Sequence, residues 1–498
     1  MLIKPIGEDF RIIGYYLGRI FLVVAAASLL PMAWAVAGRE WHPFASFVLM
    51  AGLFALLGVL GLRARPETDR LEWGHGMVVV ALTWVIVPVI GAVPFALSGH
   101  WANPLDAVFD ALSGLSTTGL ALVQDLDHLA PSLNFWRHLL HFLGGQGIIV
   151  AALSLFARGG GIALYHGEAR DDRILPSVTS TARFIWAVAA VHLIVGVAAL
   201  GLVANLVLGF TPIRSLFHGL MIFFAGFDTG GFAPQSTSLG YYHSAIFEGA
   251  TAVLMVAGAM SFGLHFALWR GPRRAIFANL ETKTILGTFG FTMILTLVGL
   301  AVGGLYTSVV GLTRQGFFQV LSAHTGTGFA TIPSVELAGW GGLAFGGMAI
   351  AMALGGMGSS TAGGVKALRV GITVKAITNQ VKAVLLPENA VVGTSYYQSG
   401  RRNLTTELAQ SAMTVSLLYV ALFFLGAGVG IAYGVPLQEA LFESVSAGAS
   451  VGLSVGVTDA AMPVLLKMTY MFQMWAGRLE FVAIFALLGF LYAWVRGK

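Results

Sequence analysis

The sequence predicts an all-α integral membrane protein with ten transmembrane helices: an N-terminal pair followed by four repeats of span, short helix and span. Three observations carry this. Of the 498 residues 57% are hydrophobic and 10% charged, where a soluble domain carries roughly 25% charged residues. The mean hydropathy of +0.81 sets that apolar excess against lipid. Apolar stretches of bilayer-crossing length recur along the chain, and between the later ones lie four short segments that each run into glycine and then Leu or Phe.

The first stretch, 15–38, exceeds the roughly 7–15 residues of a secretory h-region, and Glu8 and Asp9 spoil the basic flank a signal peptide needs. Ala33-Trp34-Ala35 is therefore not read as a cleavage site, and 15–38 pairs with 43–62 in an N-terminal unit, 1–70. The first repeat, 71–182, sets spans 74–97 and 134–157 around a short segment at 104–115. The second, 183–280, sets 184–209 and 243–269 around 213–226. The third, 281–403, sets 284–308 and an interrupted 342–381 around 314–325; the fourth, 404–498, sets 406–434 and 463–495 around 437–448. Segments of about three turns are too short to cross and read as re-entrant.

With the N-terminus in the cytoplasm, all 28 Lys and Arg except Arg39, Arg137, Arg214, Arg314, Lys467 and Arg478 lie inside, as the positive-inside rule requires. Asp106, Asp110, Asp125, Asp127, Glu439 and Asp459 then fall outside, either raising the local cation concentration or serving as ordinary solvated loop charges. The net charge of +5 serves topology, and no nucleic-acid partner is expected. Of two distinctive inner loops, one runs from Arg158 through Gly159-Gly160-Gly161 to Arg183, and the other, 387–404, can form a hairpin. Neither is large enough to be a soluble domain, so any nucleotide-sensing domain belongs to a separate chain. The absence of cysteine excludes disulfides, thiolate metal sites and a cysteine nucleophile.

The chemistry lies after the short helices: Thr117-Thr118-Gly119-Leu120, Thr229-Gly230-Gly231-Phe232, Gly326-Thr327-Gly328-Phe329 and Ser450-Val451-Gly452-Leu453. Irregular backbone at membrane depth needs protein or water around it, so four such loops are expected to converge on one axis. Helix C-terminal ends pointing inward would favour a cation there. Glycine permits positive φ, so successive carbonyl oxygens can replace the hydration shell of a monovalent cation. For one loop alone, close helix packing is the better explanation; four copies in the same context reverse that judgement.

These motifs make the chain similar to the Trk/Ktr/HKT superfamily of potassium transporters, in its TrkH and KtrB branch. The likeness rests on Ser113-Gly114-Leu115-Ser116-Thr117-Thr118-Gly119, Phe135-Trp136-Arg137, Leu143-Gly144-Gly145-Gln146-Gly147, the run Gly355 to Lys366 and Gly477-Arg478-Leu479-Glu480. The resemblance implies four unequal repeats around a pseudo-fourfold pore, potassium held by backbone carbonyls, and a homodimer in the bacterial inner membrane. It also implies gating by a cytoplasmic TrkA/KtrA-like ring of nucleotide-binding regulatory subunits. Glycine at Gly119, Gly231, Gly328 and Gly452 favours potassium, since serine at the first of these accompanies sodium permeation in plant relatives. Asp228 departs from the family's asparagine pair and is placed near the outer mouth, either attracting cations or accepting backbone hydrogen bonds.

The eighth span is broken by Gly355, Gly356, Gly358, Ser359, Ser360, Thr361, Gly363 and Gly364, a run unable to sustain a uniform helix and read as a gate; a static kink is the rival. Arg478, inside the tenth span, must face protein or water. The resemblance implies that it projects toward this loop as an electrostatic barrier; pairing with another helix is the alternative. Glu480 is a poor partner for it on a helix. Lys467 and Arg137 are expected to snorkel to the outer surface. His138 and His141 could touch a metal from one helix face, though no third ligand is evident; His218, His265 and His324 read as packed residues. The expected function is potassium uptake without an organic cofactor. The alternatives are a sodium-permeable cation channel of the same fold and a membrane-embedded enzyme, the latter lacking any hydrolase or metalloprotease motif.

Overall fold

Lipid cannot satisfy a free N–H or C=O, so a chain crossing it closes its backbone bonds within helices. The computed structural model describes residues 4–67, 71–147, 178–271, 273, 275–306, 308–387, 393–398 and 400–497, and almost all its regular structure is helical. The second half of the expected fourth span and the glycine-rich loop after it lie outside the described residues. The loop at 387–404 does form a hairpin, Ser395–Tyr397 pairing antiparallel with Arg401–Asn403.

Among the described residues six helices are long and apolar enough to cross a membrane, and eight if each of two sharply bent pairs counts as one span. The first runs Gly7–Ala27 and Leu29–Ala37, starting earlier than its apolar composition suggests. Glu8 and Asp9 fall in its first turn, where the helix dipole favours acids, and Asp9 also meets His75 at 2.8 Å. It packs against Trp41–Arg63 through Gly18, Gly58 and Gly61, at each of which an added Cβ would meet a carbonyl oxygen, backbone or side-chain atom of the facing helix.

The four short segments are helices, Pro104–Leu115, Pro212–Phe227, Val309–His324 and Leu437–Gly448, the third starting five residues earlier than expected. Proline in the first turn starts two of them, where the missing N–H costs nothing. Their apolar faces are buried in the main core, which continues into the spans on either side.

Three expected spans are bent. The eighth is broken as expected, into Gly342–Ala353 and Ala367–Leu385. The sixth and tenth, expected to be continuous, turn through 102° between Ala245–Ala259 and Phe262–Arg270 and 108° between Val464–Arg478 and Val482–Arg496. At the first bend the Ala259 carbonyl leaves its helix to accept the Met357 N–H at 3.0 Å, and Ser261 caps the next helix through the Leu264 N–H at 3.2 Å. At the second, Glu480 and Phe481 hold φ of 50° and 72°.

Candidate functional site

Each short helix ends in one and the same backbone turn. The N–H groups of Thr118, Gly230, Thr327 and Val451 donate back to the carbonyls of Ser113, Ala225, Ser322 and Ser446 at 2.9, 2.7, 2.9 and 2.9 Å. Positive φ follows at two positions in every copy: Thr117 (55°), Thr229 (50°), Gly326 (69°) and Ser450 (54°), then Gly119 (92°), Gly231 (77°), Gly328 (84°) and Gly452 (94°). Only the second position was legible as a glycine requirement. Three non-glycine residues take the strained first position because the helix C-cap and the loop overdetermine it.

The four loops form a closed ring. A Cβ built on Gly119 would collide with the Gly230 carbonyl, on Gly231 with that of Thr327, on Gly328 with that of Val451, and on Gly452 with that of Thr118. Each glycine thus admits the backbone of the next loop, and the fourth closes on the first. Every short helix directs its C-terminal end at this ring, so four sets of partial negative charge converge there. On the far side of the ring from those helix ends opens a cavity of about 470 Å³ that all four glycines line, with Arg137 in its wall.

On the helix-end side the 355–364 loop is packed against the second, third and fourth quarters and reaches the first through Arg478. Gly326 abuts Ala362 and Gly363, and Gly363 abuts Ala449 and Ser450. The Thr361 hydroxyl lies 3.0 Å from the Phe227 carbonyl, 2.9 Å from that of Gly258 and 3.1 Å from the Thr229 hydroxyl. The base is pinned by Gly355 N–H to Val365 O and Val365 N–H to Ala353 O, both 3.0 Å. Gly358 N–H donates to the buried Glu281 at 2.6 Å, and Lys366 Nζ donates to the Ala362 carbonyl. Gly356 faces Ala259 and the Ser360 side chain, whose hydroxyl closes on the Met357 carbonyl at 2.6 Å; Ser359 turns at φ 53° and Gly364 at 70°.

Arg478 completes the contact on the first quarter. Its guanidinium donates to the Thr361 carbonyl at 2.6 Å, the Thr117 hydroxyl at 3.0 Å and the Gly144 carbonyl at 2.7 Å, so it does reach the loop. Glu480 pairs instead with Arg369 on the helix after the loop, joining the tenth-span bend to the broken eighth.

Other buried charges depart from the sequence reading. Lys467 does not snorkel: only 3% exposed, it donates to Asp106 at 2.6 Å and to the Ala460 carbonyl at 2.8 Å. Arg137 is buried over the Phe232 ring, 4.1 Å from its centroid, with Asp110 3.9 Å away. Asp106 and Asp110 are accordingly buried partners rather than solvated outer charges, while Asp125 and Asp127 are exposed. Asp228 is the C-cap residue of the second short helix and does not line the cavity over the ring; it is buried and accepts from Gln146 at 2.6 Å.

His138 and His141 are spent on backbone. His138 lies 2.7 Å from the Asn134 carbonyl and 3.1 Å from that of Phe232; His141 contacts the Gly114 carbonyl at 2.7 Å and the Phe232 N–H at 3.2 Å. No cluster of metal-ligating side chains occurs among the described residues. His218, His265 and His324 bond Tyr242, the Ala257 carbonyl and Thr288. Sequence reasoning did not assign Asp110, Glu443 and His141 as supports of the loops; the shared register of Asp110 and Glu443 before Gly119 and Gly452 was an available signal, whereas His141 reaches the second loop from far along the chain and left none.

Comparison with known proteins gives a consistent result. The family model for TrkH, described as a cation transport protein, matches residues 45–488. The chain is 30% identical to an uncharacterised cation transporter of Methanocaldococcus jannaschii, over 97% of this chain and 96% of that one. It is also 30% identical to the Trk system potassium uptake protein TrkH of Halomonas elongata, over 96% and 97%. The crystal structure of the potassium transporter TrkH from Vibrio parahaemolyticus superposes with a TM-score of 0.80 at 23% identity, covering 96% of this chain and 98% of that one, which shows a shared fold.

Proposed function

The chain belongs to the TrkH family of cation transport proteins, and from that premise we propose that it takes up potassium across the inner membrane through the ring of four loops. As a multi-pass transporter of this family it is not an enzyme. The observation that carries the proposal is the closed sequence of glycine-to-carbonyl approaches, with positive φ at two equivalent positions in every loop.

In this reading a potassium ion enters the outer cavity, sheds water, and is held by peptide oxygens of Thr117, Thr118, Gly119 and their counterparts Thr229 to Gly231, Gly326 to Gly328 and Ser450 to Gly452. Positive φ at every second residue turns successive carbonyls to one side, and the converging helix ends add negative potential. Below the ring the 355–364 loop closes the path and Arg478 places a cation across it. Opening requires the loop to leave its anchors on Phe227, Gly258, Glu281 and Arg478. The architecture proposed is ten spans: the N-terminal unit 1–70 and repeats 71–182, 183–280, 281–403 and 404–498, with the N-terminus cytoplasmic. Two copies would associate, and a cytoplasmic nucleotide-binding regulatory subunit would act on the loop from the inner side.

The test is growth of a potassium-uptake-deficient bacterium at limiting potassium. Wild-type protein rescues it, and Gly231→Ser or Gly328→Ser abolishes rescue. Rescue persisting in both variants would move the conduction path away from the ring.

A further inference from the structure

Two of the four loops are tied back to their own short helix by a carboxylate. Asp110 accepts the Leu122 N–H at 2.6 Å. Glu443 accepts the N–H groups of Val455 at 2.8 Å and Val457 at 3.2 Å, and the hydroxyls of Ser454 at 2.5 Å and Thr458 at 2.7 Å. Both acids are fully buried, and each stands the same distance ahead of its ring glycine, Gly119 or Gly452. A serine one turn later adds a second tie: Ser113 accepts the Gly119 N–H and Ser446 the Gly452 N–H, each at 3.0 Å.

The second loop has dispensed with both ties. Ile222 and Ala225 occupy the two registers, and the position matching Leu122 and Val455 is Pro234, which has no N–H to offer. His141 holds this loop instead, accepting the Phe232 N–H at 3.2 Å. The third loop differs again. It keeps polar groups at every position, Gln319 and Ser322 facing the duty of the acid and the serine, and Thr331 supplying the N–H. Yet among the described residues neither amide atom of Gln319, nor the hydroxyls of Ser322 and Thr331, has a hydrogen-bond partner, although all these atoms are buried. Gly328 N–H reaches only the Ser322 backbone carbonyl, at 3.4 Å, and the hold on this loop comes from outside its own short helix and from a neutral group, the Ala330 N–H donating to the Ser238 hydroxyl at 3.1 Å.

We propose that the third loop is the compliant quarter of the ring, and that Gln319 is the positioning residue whose failure to hold Thr331 limits how sharply the ring separates monovalent cations. This rests on reading the ring as the ion path. A ring that replaces a hydration shell rejects a smaller ion to the extent that its oxygens resist closing on it. Ties to carboxylates are roughly twice as strong as ties between neutral groups, so loops one and four resist more than loop three, whose hold is the neutral Ser238 hydroxyl.

The experiment measures Rb⁺ and Na⁺ fluxes through the full-length protein in proteoliposomes. Gln319→Glu supplies the missing carboxylate, and the Na⁺/Rb⁺ flux ratio falls about threefold or more; Glu443→Gln loosens the fourth loop, and the ratio rises by a similar factor. A ratio is not moved by a merely smaller yield of folded protein. Gln319→Glu that conducts Rb⁺ with an unchanged or raised ratio overturns the proposal. Wild-type amide hydrogen exchange needs no variant: Thr331 should exchange about tenfold faster than Leu122 and Val455, and equal protection also overturns it. If Gly231→Ser leaves the flux ratio untouched, the reading of the ring as the ion path fails, while the exchange comparison still decides the compliance of the loop.

Discussion

A single methyl group separates the ring from its failure. Gly328→Ala would drive a Cβ into the Val451 carbonyl at a residue whose φ is 84°, and neither the backbone of the next loop nor the left-handed conformation can yield cheaply. Potassium-limited growth supported by this variant should fall to the level of the empty strain. The buried ion pair of Lys467 and Asp106 makes a second residue-scale prediction. Lys467→Met leaves a carboxylate uncompensated in the core, at a cost of about 3–5 kcal/mol, and thermal unfolding in detergent should show a large loss of stability. The double variant with Asp106→Asn should recover much of it, because the pair itself contributes less than the stranded charge costs. The residue types at these sites were visible in the sequence. Their pairings were not: Lys467 and Asp106 stand 361 residues apart in the chain, and only close approach reveals which charges neutralise each other.

Among the elements, the broken eighth span governs the others. Its loop takes the Ala259 carbonyl from the sixth span and, with Arg369 and Glu480, engages the bend of the tenth. Both unexpected bends therefore arise where the loop docks. Glycine and hydroxyl content marked the eighth span as breakable, but the sixth reads as continuous because Met260 and Ser261 interrupt its hydropathy too little. Thr361→Val removes a hydroxyl bonded to the carbonyls of Phe227 and Gly258. The hydroxyl has one proton shared between the two carbonyls, so at about 1 kcal/mol for that hydrogen bond a closed-to-open equilibrium should shift about fivefold. Basal Rb⁺ flux without any regulatory subunit should rise accordingly. Arg478→Ala should raise it further, since it removes both a positive charge and three donors from the loop, Thr117 and Gly144; unchanged flux would dismiss the barrier role.

At the scale of the whole molecule, the proposed orientation and the closed ring make one prediction together. The chain has no cysteine, so single-cysteine variants report membrane sidedness without background. Asp127→Cys, on an exposed segment beyond the ring, should react with a membrane-impermeant thiol reagent from outside intact cells. Arg401→Cys, in the hairpin, should react only after the inner face is exposed, and the opposite pattern would invert the topology. The sequence alone determined the helical membrane class, three of the four short helices to within a residue and the third except for its first five residues, the glycine of each loop and the breakable eighth span. Those properties follow from apolar length, periodicity and local backbone freedom, which neighbouring residues report. Only the tertiary structure decided which carbonyl each glycine admits, which spans bend, which buried charges pair and which quarters of the ring are tied by carboxylates. Each of these depends on contact between segments distant in the chain, where distance and direction, rather than composition, set the energy.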